Sequence, residues 1–322
     1  MFARLRLLRE AYRKNAWLKQ ELARERVARQ KLQTEGHRQH VEGMRAENLI
    51  WIFGAARTGS TWLSRMLSES KGHHVWNEPL VGALFGNLYY KRAKHRIDER
   101  VEHYILGEAF RESWLDSIRT FVLKEASVRF PEAAGTDNYL IIKEPNGSLG
   151  APLLLEALPE SRMILLVRDP RDVVASSMDA RREGGWNNQS NREQRPMMGK
   201  GIDSFVSGRA KDYLQRIQHT KQAYDAHQGR KVLVRYEELR ADTLETMRRI
   251  RSALELPMGE EEQLSQAVHK HSWENIPDGE KGKGKFYRKA TPGGWREDLT
   301  PKQVRVIEEV TRPLLEEFYG YR

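Results

Sequence analysis

The stretch LIWIFGAARTGSTW, residues 49–62, limits the fold of this chain more than any other segment. Five apolar residues, Leu49 to Phe53, run directly into a glycine-rich turn, and a helix-compatible segment follows from Thr61. An apolar run of that length, ended by glycine, reads as a strand buried on both faces. A strand that turns through glycine into a helix aims backbone N–H groups and the positive helix end at one point, which makes an anion site.

The same alternation continues along the chain. Tyr139–Ile142, Met163–Val167 and Lys231–Arg235 read as further strands, and the segments between them, including the long one from Ile97 to Phe130, read as helices. Strands separated by helices predict an α/β fold: a parallel central sheet with helices on both faces, entered through a P-loop-like strand–loop–helix. In such sheets ligands sit at the carboxyl ends of the strands, where every motif discussed below falls.

Residues 1–47 have a different composition, rich in Arg, Gln, Glu, Ala and Leu and free of proline. Leu8, Ala11, Leu18, Leu22 and Leu32 recur at spacings compatible with one helical face. The predicted organisation is a charged helical N-terminal extension over 1–47 and one α/β domain over 48–322. The extension reads as a solvated helix packed on its own domain, as a helix that forms a homodimer, or as a basic helix on an anionic surface.

Charge and cysteine content narrow the function. The formal charge of +10 points to an anionic partner, and residues 1–48 hold twelve Lys and Arg against six acidic residues. The basic residues are otherwise scattered, with no aromatic-interleaved patch, so specific nucleic acid binding is not expected. The chain has no cysteine, which excludes disulfides, thiolate metal sites and cysteine nucleophiles. No apolar run approaches the roughly 18–20 residues needed to span a bilayer. Arg4, Arg6, Arg9 and Arg13 interrupt any signal-peptide core, so a cytoplasmic protein is expected. Two long polar loops, Arg181–Gly201 with Trp186 and Ser272–Trp295, read as lids or binding loops.

The first loop has the Gly-x-x-x-x-Gly spacing of a triphosphate-binding loop, from Gly54 to Gly59, but lacks its lysine. That lysine reaches the β- and γ-phosphates, and the hydroxyl after it holds magnesium. Here Ser60 takes the lysine position and Arg57 supplies a cation three residues earlier. With hydroxyls at Thr58, Ser60 and Thr61, the loop is suited to grip a phosphate without organising a magnesium triphosphate.

RTGSTW resembles the 5′-phosphosulfate loop of the PAPS-dependent sulfotransferases, which reads Lys-Ser-Gly-Thr-Thr-Trp in cytosolic members and more often starts with arginine in carbohydrate-directed ones. Three further segments are similar to that family. VRDPRDVVAS, with Arg168 at a strand end and Ser176 eight residues on, looks like its 3′-phosphate motif; physically, Arg168 offers a planar fork of donors and Ser176 a hydroxyl. FYRKATPGGWREDLT looks like the late Arg-Lys-Gly-x-x-Gly-x-Trp segment, with Ala290 in place of its first glycine. VLVRYEEL places Tyr236 where an adenine-contacting tyrosine is found, and Trp62 offers a second aromatic surface.

These matches span about residues 49–319. The resemblance implies the donor PAPS, 3′-phosphoadenosine 5′-phosphosulfate, with PAP as product and no metal. It implies a donor site made of Arg57, Thr58, Gly59, Ser60, Thr61, Trp62, Arg168, Ser176, Tyr236, Arg288, Lys289 and Ala290.

Sulfuryl transfer runs in line from the phosphate oxygen to an acceptor oxygen or nitrogen, so the protein must position the groups and set cations against the developing charge. By resemblance, Arg57 replaces the lysine at the bridging oxygen, and Lys143 in IIKEP matches the lysine of a Lys-Thr-His segment. The histidine position of that segment is Pro145, which takes no proton. Glu78 in VWNEPL, like the Glu-Pro of carbohydrate-directed members, is the expected base, with Glu144, His73 and His74 as alternatives. The expected acceptor is a hydroxyl, less readily an amine, of a glycan or other small metabolite. The competing readings are a P-loop kinase or ATPase and a non-catalytic PAP-binding protein.

Overall fold

The computed structural model describes residues 43–92, 104–135, 137–181, 200–257, 261–285 and 287–321. Nearly all of the N-terminal extension predicted over 1–47, with its homodimer, lies outside the described residues. So does the interior of the 181–201 loop with Trp186.

The chain runs β1 (Leu49–Phe53), α1 (Ser60–Ser68), β2 (His73–Asn77), α2 (Val81–Gly86), α3 (Arg111–Arg129), β3 (Tyr139–Lys143), α4 (Ala151–Ala157), β4 (Arg162–Val167) and α5 (Pro170–Arg181). It continues through α6 (Lys200–Ala226), β5 (Lys231–Arg235), α7 (Tyr236–Ala241), α8 (Thr243–Ala253), α9 (Glu261–Lys270) and α10 (Pro301–Tyr319). The four strands expected from sequence are present. β2 is an addition, and the helix expected over 97–130 is shorter: within the described residues it begins at Arg111 after one 3-10 turn, Glu108–Phe110.

The sheet has strand order β2-β3-β1-β4-β5 with every neighbouring pair parallel. Ile52 of β1 lies opposite Lys143 on one side and Ile164 on the other. All five residues of β1 are buried because its alternate side chains enter two different cores. Leu49, Trp51 and Phe53 join Ile118 and Val122 of α3, Leu154 of α4 and Ile217 of α6. Ile50 and Ile52 join Leu63 and Met66 of α1, Met247 and Ile250 of α8 and Leu264 of α9. Helices therefore cover both faces, as the continuous apolar strands require.

The longest C-terminal helix is fixed at both ends by local sequence. Thr300 and Gln303 form a reciprocal capping box around Pro301, and Gly320 closes α10 in the left-handed conformation at φ 62°. Among the described residues, no helix is long and apolar enough to cross a membrane.

The chain leaves β1 toward β3 and β2, then crosses back to lay β4 and β5 on the other side. The loops after β1 and β4 diverge, which opens a crevice at the carboxyl ends of the strands.

Candidate active site

Each strand delivers one candidate residue to that crevice. Arg57 follows β1, Glu78 follows β2, Lys143 ends β3, Arg168 follows β4 and Tyr236 follows β5. A cavity of about 220 Å³ opens there, lined by Arg57, Gly59, Ser60, Glu78, Arg168 and Ser176 among others.

The first loop is shaped by two close approaches. A side chain at Gly54 would sit 2.3 Å from the Leu166 carbonyl oxygen of β4. Gly59 caps α1 at φ 94°, and a β-carbon there would sit 2.6 Å from the Tyr236 ring. Thr58 is buried and turns its hydroxyl back to the Ala55 carbonyl, 2.7 Å away, so it braces the loop and does not line the cavity.

Three guanidinium groups converge around this loop. Burial, then the neighbouring Arg168 and Arg288, push the Arg57 guanidinium down to about 10. That crowding of like charge favours an anion between them. The Arg57 Nε donates to the Ser176 hydroxyl at 2.9 Å, and Arg168 Nη1 donates to the Arg57 carbonyl at 3.0 Å. The Arg168 guanidinium lies 4.1 Å from the Tyr236 ring centre, and its Nε is buried without a hydrogen-bond partner.

The segment expected to close over the site does reach it. Arg288, Lys289 and Ala290 line the cavity. Arg288 is buried and paired with Asp298, while Lys289 Nζ reaches Glu297 at 2.6 Å. Ala290 adopts φ 50°, the left-handed region that the glycine at this point of the motif enters without cost. Two aspartates of α5 anchor this segment: Asp172, within VRDPRDVVAS, accepts the N–H groups of Gly293 and Trp295 at 2.7 and 2.9 Å, and Asp179, three residues beyond that motif, accepts that of Gly284 at 2.7 Å.

Opposite the arginines sits a carboxylate held from two sides. Lys143 Nζ donates to Glu78 Oε1 at 2.6 Å and to the Thr61 hydroxyl at 3.1 Å, and Asn146 Nδ2 donates to Glu78 Oε2 at 2.7 Å. Lys143 is 3% exposed and stands behind Glu78 instead of lining the cavity. Glu78 and Leu80 are both left-handed, at φ 51° and 62°, and bracket Pro79. Of the five non-glycine residues with positive φ among the described residues, Arg57, Glu78 and Ala290 line this one cavity. Such strain collects where structure is held for a task.

Pro145, at the expected histidine position, also lines the cavity. The other candidate bases point elsewhere. Glu144 accepts the Leu80 N–H at 3.0 Å, His73 Nδ1 bonds the Leu67 carbonyl at 2.8 Å, and His74 pairs with Glu132 at 3.3 Å.

Residues 50–260 match the model of the Sulfotransferase family. The chain belongs to that family. Cytosolic sulfotransferase 12 of Arabidopsis thaliana is 30% identical over 133 residues, which cover 38% of this chain and 40% of that protein, so less than half of the relative is matched. Mouse sulfotransferase SULT7A1, solved as a complex with PAP, superposes with a TM-score of 0.55 at 14% identity over 85% of this chain and 86% of its own. Sulfotransferase STF9 from Mycobacterium avium gives 0.54 at 17% identity, over 90% and 81%. The sulfotransferase α/β fold is thus shared at low identity.

In this sulfotransferase-family chain several cavity residues had escaped the sequence reading. Asn146 secures Glu78, Arg240 lies 5.5 Å from the Trp62 ring, and His271, Trp273 and Ile276 complete the wall beside Trp62. Trp62 itself is fixed by a hydrogen bond from Nε1 to the His271 carbonyl at 2.8 Å. Trp273 and Ile276 fall in the 272–295 loop already read as a lid or binding loop, but no motif singled them out.

Proposed function

We propose that the chain is a PAPS-dependent sulfotransferase that moves the sulfuryl group to a hydroxyl, less readily an amine, of a glycan or other small metabolite and releases PAP. The observation that carries this reading is one cavity, at the start of α1, in which Arg57, Arg168 and Arg288 gather with Ser176 of α5 and with a carboxylate held by a lysine and an amide.

In this reading Gly59, Ser60 and Thr61 receive the 5′-phosphate at the helix end. Arg168 and Ser176 bind the 3′-phosphate, with Arg288, Lys289 and Ala290 closing over it. Trp62 and Tyr236 flank the adenine. Glu78 takes the acceptor proton, Arg57 meets the charge growing on the leaving oxygen, and Lys143 keeps Glu78 aimed. The chemistry asks for no metal. The arginine that opens the loop motif and the Glu-Pro pair favour a carbohydrate-directed acceptor over a flat phenol. One catalytic domain over 48–322, a separate arm over 1–47 and a cytoplasmic location belong to the same reading.

The test is thermal denaturation with PAP, against ATP plus magnesium. Ligand at a hundred times its Kd adds about 2.7 kcal/mol, enough to move the melting temperature measurably. A shift with PAP and none with magnesium ATP supports the donor assignment; the reverse would return the chain to the kinase class. Turnover of PAPS with a hydroxylated acceptor then separates an enzyme from a non-catalytic PAP binder.

A further inference from the structure

Arg240 lies in the last turn of α7, the short helix that Tyr236 begins. It lines the donor cavity, and nothing in the motif pattern pointed to it. Its Nε donates to the Ala290 carbonyl at 3.0 Å, across a sequence separation of 50 residues. Its guanidinium lies 5.5 Å from the centre of the Trp62 ring. Ala290 is the residue held at φ 50°, and the two residues before it are the cations Arg288 and Lys289. An alanine in the left-handed region is disfavoured by about 1–2 kcal/mol, so an external contact has to hold the turn. The Arg240–Ala290 hydrogen bond is charge-assisted and joins that turn to the helix that starts with Tyr236.

We infer that Arg240 is a positioning residue for the donor: by holding the Ala290 turn it sets Arg288 and Lys289 over the 3′-phosphate, and so governs discrimination between adenosine nucleotides with and without that phosphate. The inference rests on the reading of the cavity as a PAP site. It assigns Arg240 no contact with the sulfuryl group or the acceptor. The hydrogen bond it makes lies at the Ala290 turn and not in the 5′-phosphate loop.

The experiment is calorimetric titration of the full chain with PAP and with 5′-AMP, which shares the 5′-phosphate and the adenine but lacks the 3′-phosphate. Arg240→Ala is expected to weaken PAP about tenfold, as the loss of one charge-assisted hydrogen bond implies, and to change 5′-AMP by less than about twofold. In an Ala290→Gly background the turn no longer needs a brace, and Arg240→Ala is expected to cost PAP less than about threefold. Arg240→Gln carries the same comparison if the alanine variant does not fold. Equal losses for PAP and 5′-AMP, an unchanged PAP affinity, or the same tenfold loss in the glycine background would each overturn the inference. Failure of the unaltered chain to bind PAP would instead overturn the donor reading, so the two failures are distinguishable.

Discussion

Arg57 donates through its Nε to the hydroxyl of Ser176 at 2.9 Å, across a sequence separation of 119 residues. One residue was expected at the 5′ end of the donor and the other at its 3′ end. With Arg168 holding the Arg57 carbonyl, these three residues form one connected network, so a substitution at Arg168 or Ser176 reaches Arg57.

Arg168→Ala removes a charge-assisted contact worth about 1.5–3 kcal/mol, and PAP affinity is expected to fall by roughly ten- to a hundredfold. Calorimetric titration checks this. Because Arg168 also supports Arg57, 5′-AMP is expected to weaken as well, though by less. An unaltered PAP affinity would remove Arg168 from the 3′-phosphate site.

Glu78→Gln keeps the shape of the side chain and an oxygen for Lys143, whereas Glu78→Ala would leave that lysine buried without its partner. With the glutamine, turnover of PAPS on an acceptor is expected to drop by about 10²–10⁴-fold, while PAP affinity stays nearly unchanged. Retained turnover would exclude Glu78 as the base.

Glu144 gives a pH dependence of stability. Burial pushes its carboxyl from the ordinary 4.5 up to about 7, with Glu78 adding repulsion and the Leu80 amide opposing. Between those limits the folded protein keeps a proton that the unfolded chain has released. The stabilisation is complete below the lower limit and is lost as pH rises through about 7. Glu144→Gln cannot ionise and still accepts the Leu80 N–H. Its melting temperature should therefore fall less than that of the unaltered chain between about pH 5 and 8. Parallel melting curves across that range would show that Glu144 is not the group responsible.

Gly59→Ala combines a left-handed backbone with a β-carbon 2.6 Å from the Tyr236 ring. Either the ring or the loop has to move. A loss of about 1–3 kcal/mol of stability is expected, together with a PAP affinity too weak to titrate. Denaturant unfolding and calorimetry measure the two effects, and a stable variant with normal affinity would contradict the geometry.

β1, β3 and β4 were visible through apolar runs that lie almost wholly buried, and β5, KVLVR, through three consecutive aliphatic residues although it is an edge strand. β2 was not visible, since HHVWN has a single aliphatic residue and is only partly buried. The segments that meet at the cavity were legible because their pattern is local: glycines, hydroxyls and arginines sit at fixed offsets. Asn146, Arg240 and Trp273 were not, because each acquires its place through contacts with residues far away in the chain. The same limit applied to Thr58, whose hydroxyl faces inward, and to Lys143, which stands behind Glu78.

The cavity is closed by residues from both ends of the domain, from Ala56 in the first loop to Ala290 in the late segment. A nascent chain therefore has a sheet to build long before it has a place for nucleotide. At about 5–20 residues per second of synthesis, the interval is on the order of ten seconds or more. The crowding of Arg57 with Arg168 and Arg288 is complete only when that interval ends, and the donor cannot assist the early steps of folding. It acts only at the end, as a clasp on a finished sheet.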